Sequence, residues 1–177
     1  MNAPSSLAAS QVHRIQLLCG FLRNPALVAA AQSSSPVSMP PTIGSMGFDV
    51  PLWVGLGIVG LWASLDAYLE RTTNKHANCA VCSSRTCIFH RLHGHPNFPA
   101  MPSQAIAELE DLRHLFAHNF AGVADGAYMG RPRHVIRAPL PVTMSCGASV
   151  SGNALVLSPS ALQHYASRVS ETLALLQ

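Results

Sequence analysis

Residues 50–70, VPLWVGLGIVGLWASLDAYLE, are the most hydrophobic stretch of the sequence, and the fold depends on how this stretch is buried. It has no charged residue between Val50 and Leu65, and Asp66 and Glu70 end the apolar run. A run of this length falls just short of the roughly 20 residues that span a bilayer comfortably. The pattern therefore favours a long helix buried in a protein core. A helix that crosses or lies on a membrane is the alternative.

The composition agrees with a chain that buries much of its surface. Of its 177 residues, 49% are apolar and only 11% are charged, which favours burial within an oligomer or a membrane. The length suits one domain with a core of its own. The formal net charge of +3 is too small to indicate nucleic-acid binding by itself, although nine histidines could add local positive charge beside phosphates.

The residues before the apolar stretch predict an N-terminal arm and a linker, together residues 1–47, ahead of a main domain at residues 48–177. One or two short helices are expected in residues 11–31, with a break at Asn24-Pro25, because proline disfavours helix in the residue before it. Residues 33–47 are rich in Ser, Pro and Gly, as linkers are. No charged segment precedes a clean apolar core as in a signal peptide, and five cysteines form no even disulfide set, so a cytoplasmic location is expected.

The residues after the apolar stretch predict two more helices with a hairpin between them. One helix begins behind Ser103, a good N-cap, and runs to about Gly122. A hairpin between VIRAPLPVTM and ALVL is expected within residues 134–157, with a turn at residues 151–153, and the last helix begins at Ser158-Pro159. Its stripe of apolar residues at helical spacing is Leu162, Tyr165, Val169, Leu173 and Leu176. The predicted fold is a mainly α helical bundle with a small β-hairpin before the C-terminal helix.

Residues 109–122, LEDLRHLFAHNFAG, concentrate titratable groups on one of these helices. At 100° per residue the predicted buried face contains Ala105, Leu109, Leu112, Phe116 and Phe120, whereas Asp111, His114 and His118 lie opposite it. Arg113 borders the buried face and points about 140° away from His118. A site that uses both side chains therefore requires a distorted helix, a curled arginine or a second copy of the helix.

The segment from Arg113 to His118 resembles the R-x4-6-H motif of HEPN domains, and His114 matches the polar residue that commonly follows the arginine in that family. The preceding GLWASLDAYLER resembles the long helix before the family's motif, so the resemblance covers about residues 50–177. It implies an up-and-down helical bundle that forms a homodimer with two motifs in one cleft. Many HEPN domains are metal-independent ribonucleases. Phe120 stands where related domains can carry a tyrosine that is modified, so that regulation does not carry over.

The chemistry that the resemblance implies is cleavage of RNA without a catalytic metal. Arg113 would hold the phosphate and offset its developing charge, and His118 would move the proton of the ribose 2′-OH or of the leaving 5′ oxygen. His114 and Asn119 would be supporting residues. The product would carry a cyclic phosphate, and DNA would not react because it lacks the 2′-OH. A toxin or defence component, with an antitoxin or another protein as its partner, is the implied setting.

Other interpretations of the same residues stay open. Arg113 can serve only in a contact between helices while both histidines are solvated, and Asp111, His114 and His118 are suitable metal ligand types without a fourth ligand. A second hypothesis is a non-catalytic helical module that binds RNA or a protein. A third is a small membrane-associated protein built around residues 50–65.

A Cys/His-rich loop, residues 74–99, gives a separate candidate site. Thiolate and imidazole groups at short spacings suit tetrahedral zinc, and a C-x2-C-x4-C-x2-H pattern supplies four ligands: Cys79, Cys82, Cys87 and His90. A structural zinc would order the loop. A loop with free thiols is the alternative. Further basic residues, expected to form a rim that contacts RNA phosphates, are Arg85, Arg91, His93 and His95.

Overall fold

A computed structural model of the chain describes residues 4–33, 50–72, 92, 95, 97, 104–118, 145–151 and 154–177. Within these residues there are five helices and two strands. In chain order they are α1 (Pro4–Leu22), α2 (Pro25–Ser33), α3 (Val50–Thr72), α4 (Gln104–His118), β1 (Ala148–Ser151), β2 (Ala154–Leu157) and α5 (Pro159–Leu175). The predicted mainly α fold with a small hairpin before the C-terminal helix is confirmed.

Helix α3, the quoted apolar stretch, lies at the centre of the molecule and packs against α1, α4 and α5. Its buried residues are Val54, Gly55, Gly57, Ile58, Leu61, Leu65, Tyr68 and Leu69. By length and composition alone α3 could also cross a membrane, with a mean hydropathy of 1.5 over its most apolar window. Core helices of soluble proteins pass the same test, and here α3 contributes six of the buried apolar side chains of the described residues, as many as α5.

Two glycines of α3 let neighbouring side chains approach its backbone. A Cβ atom on Gly55 would lie 2.6 Å from Cδ1 of Phe116 on α4, and one on Gly57 would lie 2.6 Å from Cδ2 of Leu162 on α5. Both distances are shorter than van der Waals contact. The two glycines therefore set how near α4 and α5 lie to α3.

The segment predicted as an N-terminal arm contributes α1 to the same core. Its buried residues, Ala8, Val12, Cys19 and Leu22, recur at roughly helical spacing and pack with α3 and α5. The break at Asn24-Pro25 is confirmed, because α1 ends at Leu22 and α2 begins at Pro25. The Asn24 side chain accepts hydrogen bonds from the backbone N–H groups of Ala26 and Leu27, at 3.1 and 3.3 Å, and so caps α2.

Strands β1 and β2 form an antiparallel hairpin directly before α5, with Ala148 opposite Leu157 and Ser151 opposite Ala154. The second strand, predicted at ALVL, is confirmed. Its partner is Ala148–Ser151 and not the predicted VIRAPLPVTM, whose residues 135–144 lie outside the described part of the chain. Ser158 caps α5 through its Oγ, which accepts from the Ala161 N–H at 3.2 Å. All five residues of the predicted α5 stripe are buried.

A buried carboxylate joins α4 to α5. Glu108 is only 3% exposed, and its Oε2 accepts a hydrogen bond from the Tyr165 hydroxyl at 2.9 Å. Its Oε1 accepts from the Gln104 amide at 3.2 Å. A buried polar group is tolerated when it is hydrogen-bonded, so these two donors make Glu108 compatible with the core.

Tyr165→Phe is expected to destabilise the protein more than Tyr68→Phe. The first change removes a donor from the buried carboxylate, at a cost of about 2–3 kcal/mol, whereas the second removes a bond to a backbone carbonyl and costs about 1 kcal/mol. Tyr68 is a matched control because its hydroxyl is also buried and donates to the Leu176 carbonyl at 3.1 Å. Urea unfolding followed by circular dichroism measures both losses. Equal losses would show that the hydrogen bond to Glu108 stabilises the fold no more than the bond to the Leu176 carbonyl.

Gly57→Ala is expected to destabilise the protein by about 1–3 kcal/mol, because the added methyl group must displace the fully buried Leu162 side chain. Gly20→Ala is the control. A Cβ at Gly20 meets nothing within 4 Å, so only the helix-forming preference of alanine operates, with a gain of up to about 1 kcal/mol. Urea midpoints that move in the same direction for both variants would contradict the close approach of α3 and α5.

Candidate functional site

Helix α4 carries Arg113, His114 and His118 of the motif. The structure describes it from Gln104 to His118, and the predicted end near Gly122 falls in residues 119–144, outside the described part of the chain. Its buried apolar residues are Ala105, Ile106, Leu109, Leu112 and Leu115. Phe116 is half-buried and packs on this core, and Phe120 is outside the described residues. The predicted buried face is therefore confirmed at Ala105, Leu109 and Leu112, and it extends to two residues that the projection missed.

Arg113 lies half-buried between α4 and α3. Its guanidinium carbon is 4.5 Å from the centroid of the Trp62 ring, within the range of a cation–π interaction. Its Nη1 donates to Nδ1 of the neighbouring His114 at 2.9 Å. An arginine held by an aromatic ring and an imidazole presents its planar donor groups in a fixed direction, which suits the recognition of a phosphate.

His114 is half-buried, whereas the helical projection places it on the side away from the core. It reaches this position because its ring lies against the Arg113 guanidinium, which itself extends toward Trp62. The same Nη1 also lies 3.4 Å from Nε2 of His114, so the guanidinium contacts both ring nitrogens. The supporting role of His114 stays a prediction.

His118 is the last residue of α4, and the structure describes its backbone but not its side chain. Asn119 lies outside the described residues. Five positions separate His118 from Arg113 on a regular helix, so the angle of about 140° between them stands. The structure therefore brings together Arg113, His114 and Trp62, and the position of the His118 imidazole relative to them stays a prediction.

Glu110, one turn before Arg113 on α4, interacts electrostatically with that arginine and with two other carboxylates. The pKa of Glu110 is raised from 4.5 to about 7, first because the side chain is buried and then because Asp111 is close. Arg113 lowers this pKa and Asp66 raises it further, each to a smaller extent. Near neutral pH, Glu110 is therefore close to half-protonated. The charge beside Arg113 changes in the same range in which histidine titrates.

Trp62 is the residue of this site that the sequence did not reveal. Its ring lies under Arg113, and its Nε1 is buried with no hydrogen-bond acceptor among the described residues. Periodicity places Trp62 beside the buried face of α3, where an aromatic residue is most simply explained as core packing. The pairing of α3 with α4, rather than any motif, brings it to Arg113.

The Cys/His-rich loop lies almost wholly outside the described residues, including Cys79, Cys82, Cys87 and His90 and the basic residues Arg85, Arg91 and His93. His95 is described, and it is 8% exposed. Its ring centroid is 6.4 Å from that of Tyr68, and its Nδ1 accepts from the Asn97 N–H at 3.3 Å. His95 thus faces the core, whereas the sequence placed it on a solvent-facing rim.

The described residues contain no group of three or more His, Cys, Asp or Glu side chains arranged to hold a metal ion. The four predicted zinc ligands are not among them, and neither is the side chain of His118, which the alternative metal site with Asp111 and His114 would need. Both metal sites stay predictions.

Comparison with known proteins adds no relative to this picture. No family model, no curated protein and no solved structure matches the chain. The residues and their geometry are therefore the basis for assigning a function to the chain.

Glu110→Gln is expected to flatten the dependence of stability on pH. The unfolded chain releases this proton near pH 4.5 but the folded chain only near pH 7, so the unfolded state binds fewer protons between these values. The free energy of unfolding of the wild type should therefore fall as pH rises from 4.5 to 7. The fall is at most about 3 kcal/mol, at about 1.4 kcal/mol for each pH unit.

The measurement is urea unfolding at several pH values for the wild type and Glu110→Gln. The matched control is Glu171→Gln on α5, where the carboxylate is 56% exposed and pairs with Arg168. Glu110→Gln should equal the wild type at pH 4 and exceed it in stability at pH 8. Parallel curves for the wild type and Glu110→Gln would show that burial does not hold the proton on Glu110.

Proposed function

We propose that the chain is a metal-independent endoribonuclease that cleaves RNA by attack of a ribose 2′-OH on the adjacent phosphate. The observation that carries the proposal is the fixed guanidinium of Arg113, held by Trp62 and His114 on the helix that ends at His118. The resemblance of Arg113 to His118 to the HEPN motif supports the same assignment. RNA is the substrate and the location is cytoplasmic.

Arg113 binds the phosphate in this mechanism. Its stacked guanidinium keeps other N–H donors besides the one that engages His114, and these can contact two phosphate oxygens at once. As the 2′ oxygen attacks, negative charge increases on the non-bridging oxygens, and the fixed cation stabilises this charge. Little reorganisation is needed, because Trp62 already holds the guanidinium in place.

His118 moves the proton. The new bond joins phosphorus to the 2′ oxygen, and the bond to the 5′ oxygen breaks, leaving a 2′,3′-cyclic phosphate and a 5′-OH. A neutral imidazole accepts the proton of the 2′-OH, and an imidazolium protonates the leaving oxygen. Two copies of His118, one from each chain of a homodimer, can divide these two tasks. His114 and Asn119 position the phosphate and the imidazole.

A non-catalytic module that binds RNA or a protein is the second candidate. It is favoured by the same contacts, since an arginine that stacks on Trp62 and bonds to His114 also has a purely structural use in joining α4 to α3. Such a module binds RNA or its partner without cleaving anything. Activity measurements separate the two candidates directly.

His118→Ala is expected to lower the rate of RNA cleavage by at least about 100-fold, the usual contribution of a positioned general acid or base. The purified full chain is incubated with single-stranded RNA in EDTA, and the products are examined for a cyclic phosphate. His13→Ala, an exposed histidine on α1, is the matched control and should keep full activity. DNA of the same sequence should not be cut.

Two results would remove the catalytic assignment. One is equal cleavage by the wild type and His118→Ala, which would indicate a contaminating nuclease or another site. The other is RNA binding by the wild type with no cleavage at all, which would establish the non-catalytic module instead.

A further inference from the structure

The side of α3 that faces away from the core is apolar. We call the residues Leu52, Leu56, Val59, Ala63 and Ala67 the outer stripe, since they recur every three or four positions along one side of the helix. Leu52 and Leu56 are 50% and 52% exposed, Ala63 and Ala67 are exposed, and Val59 is half-buried. The solvent side of a surface helix normally carries charged and polar residues. From Leu52 to Ala67 the outer stripe carries none, and the first charged residue on its line is Glu70.

The outer stripe lies between the edges of α3 that α1 and α4 cover. On the α1 side, a Cβ at Gly60 would be 3.3 Å from Cδ1 of Ile15, and on the α4 side Trp62 lies under Arg113. A groove of about 490 Å³ separates the stripe from α1. Leu56, Gly60, Ala63 and Ala67 line one wall of this groove, and Ile15 and Leu18 line the other.

We propose that the outer stripe is the interface of a homodimer in which the α3 helices of two copies pack antiparallel across a two-fold axis. The sizes of the side chains in the stripe favour the antiparallel pairing. The large residues, Leu52 and Leu56, occupy the N-terminal half, and the small ones, Ala63 and Ala67, occupy the C-terminal half. In an antiparallel pair centred beside Val59, Leu56 lies opposite the partner's Ala63 and Leu52 opposite the partner's Ala67. Each leucine meets a small residue and the edge of a groove.

The charges at the ends of α3 favour the same arrangement. Asp66 and Glu70 lie near the C-terminal end, and the first turn of α3 has no acidic residue. An antiparallel pair places these carboxylates near the N-terminal end of the partner's α3, where the helix dipole favours negative charge. A parallel pair would instead place leucine on leucine and carboxylate on carboxylate. A lipid surface would cover the apolar residues of the stripe, but it would not attract the two carboxylates. Helices that lie on membranes usually carry basic residues beside the apolar face.

The two-fold axis has a consequence for Arg113. The axis is perpendicular to the plane that contains the two α3 helices. It therefore keeps both α4 helices on the same side of the dimer, beside the α3 pair. Trp62 is two to three residues from the centre of the pairing, so the Trp62–Arg113 contacts of the two copies are offset by about 8 Å along the helices. The interface itself is independent of RNA cleavage. That both copies contribute to one active site rests on the proposed function.

The oligomeric state of the full chain tests the interface. Light scattering after size exclusion, with the protein at about 100 µM so that a micromolar dimer is populated, should give twice the 18.8 kDa mass of the chain. Leu56→Glu should weaken the dimer by at least about 100-fold, because the pairing would bury an unpaired carboxylate. Leu17→Glu, at a leucine of α1 that is 61% exposed and outside the groove lining, should stay dimeric.

A swap of side-chain sizes tests the register. Leu56→Ala and Ala63→Leu should each weaken the dimer, the first by leaving a gap and the second by placing leucine against leucine. The double variant should recover the affinity, because each small residue again faces a large one. Both positions are exposed in the single chain, so folding should be retained, and circular dichroism confirms it. A double variant no tighter than the two single ones would overturn the register.

Other outcomes overturn the interface itself. These are a wild type that is monomeric at every concentration, a Leu56→Glu variant as dimeric as Leu17→Glu, and a wild type that floats with phosphatidylcholine vesicles as a monomer. Cleavage assays distinguish failure of the interface from failure of the proposed function. A dimer that leaves RNA intact removes the ribonuclease and keeps the interface, whereas a monomer that cleaves RNA does the reverse.

Discussion

The burial of α3 is the constraint on which the other elements depend. A helix with no charge from Val50 to Leu65 must be covered by other apolar surfaces. Helices α1, α4 and α5 cover three of its sides, and Gly55 and Gly57 let the last two approach the α3 backbone closely. Strand β2 of the hairpin adds the buried side chains of Leu155 and Leu157 to the same core. The unusual feature is the remaining side, where the apolar character continues although no other described helix covers it.

The same packing creates the polar features of the molecule. Helix α4 turns Glu108 toward α5, where Tyr165 donates to it, and Arg113 toward α3, where Trp62 lies beneath the guanidinium. These two contacts differ in their chemical use. Glu108 is almost completely enclosed and already has two donors, so it joins helices. Arg113 is half-buried beside Glu110, whose pKa is raised to about 7, so the charge next to the guanidinium changes with pH near neutrality.

Much of the fold could be predicted because it follows from local rules. The cap at Ser158, the proline that follows it and the stripe from Leu162 to Leu176 define α5 before any contact is known. The break at Asn24 is equally local. The candidate site was harder to predict from the sequence. Spacing identified Arg113, but its partner Trp62 is on another helix and looks like a core residue in sequence. His114 lies closer to the core than the helical projection indicates, and His95 is buried although it was expected on a basic rim, because a guanidinium or a neighbouring ring covers each of them.

The sequence by itself determined the order of the helices, the burial of the apolar helix and the core-facing stripe of α5, with Ala105, Leu109 and Leu112 of α4. These features depend on short-range preferences and on the periodicity of apolar residues along the chain. Only the tertiary structure decided that Arg113 stacks on Trp62, that the pKa of Glu110 rises, that Ile106 and Leu115 join the core and that no other described helix covers the outer stripe of α3. These features arise from distances between helices that are far apart in the chain, and no local pattern encodes such distances.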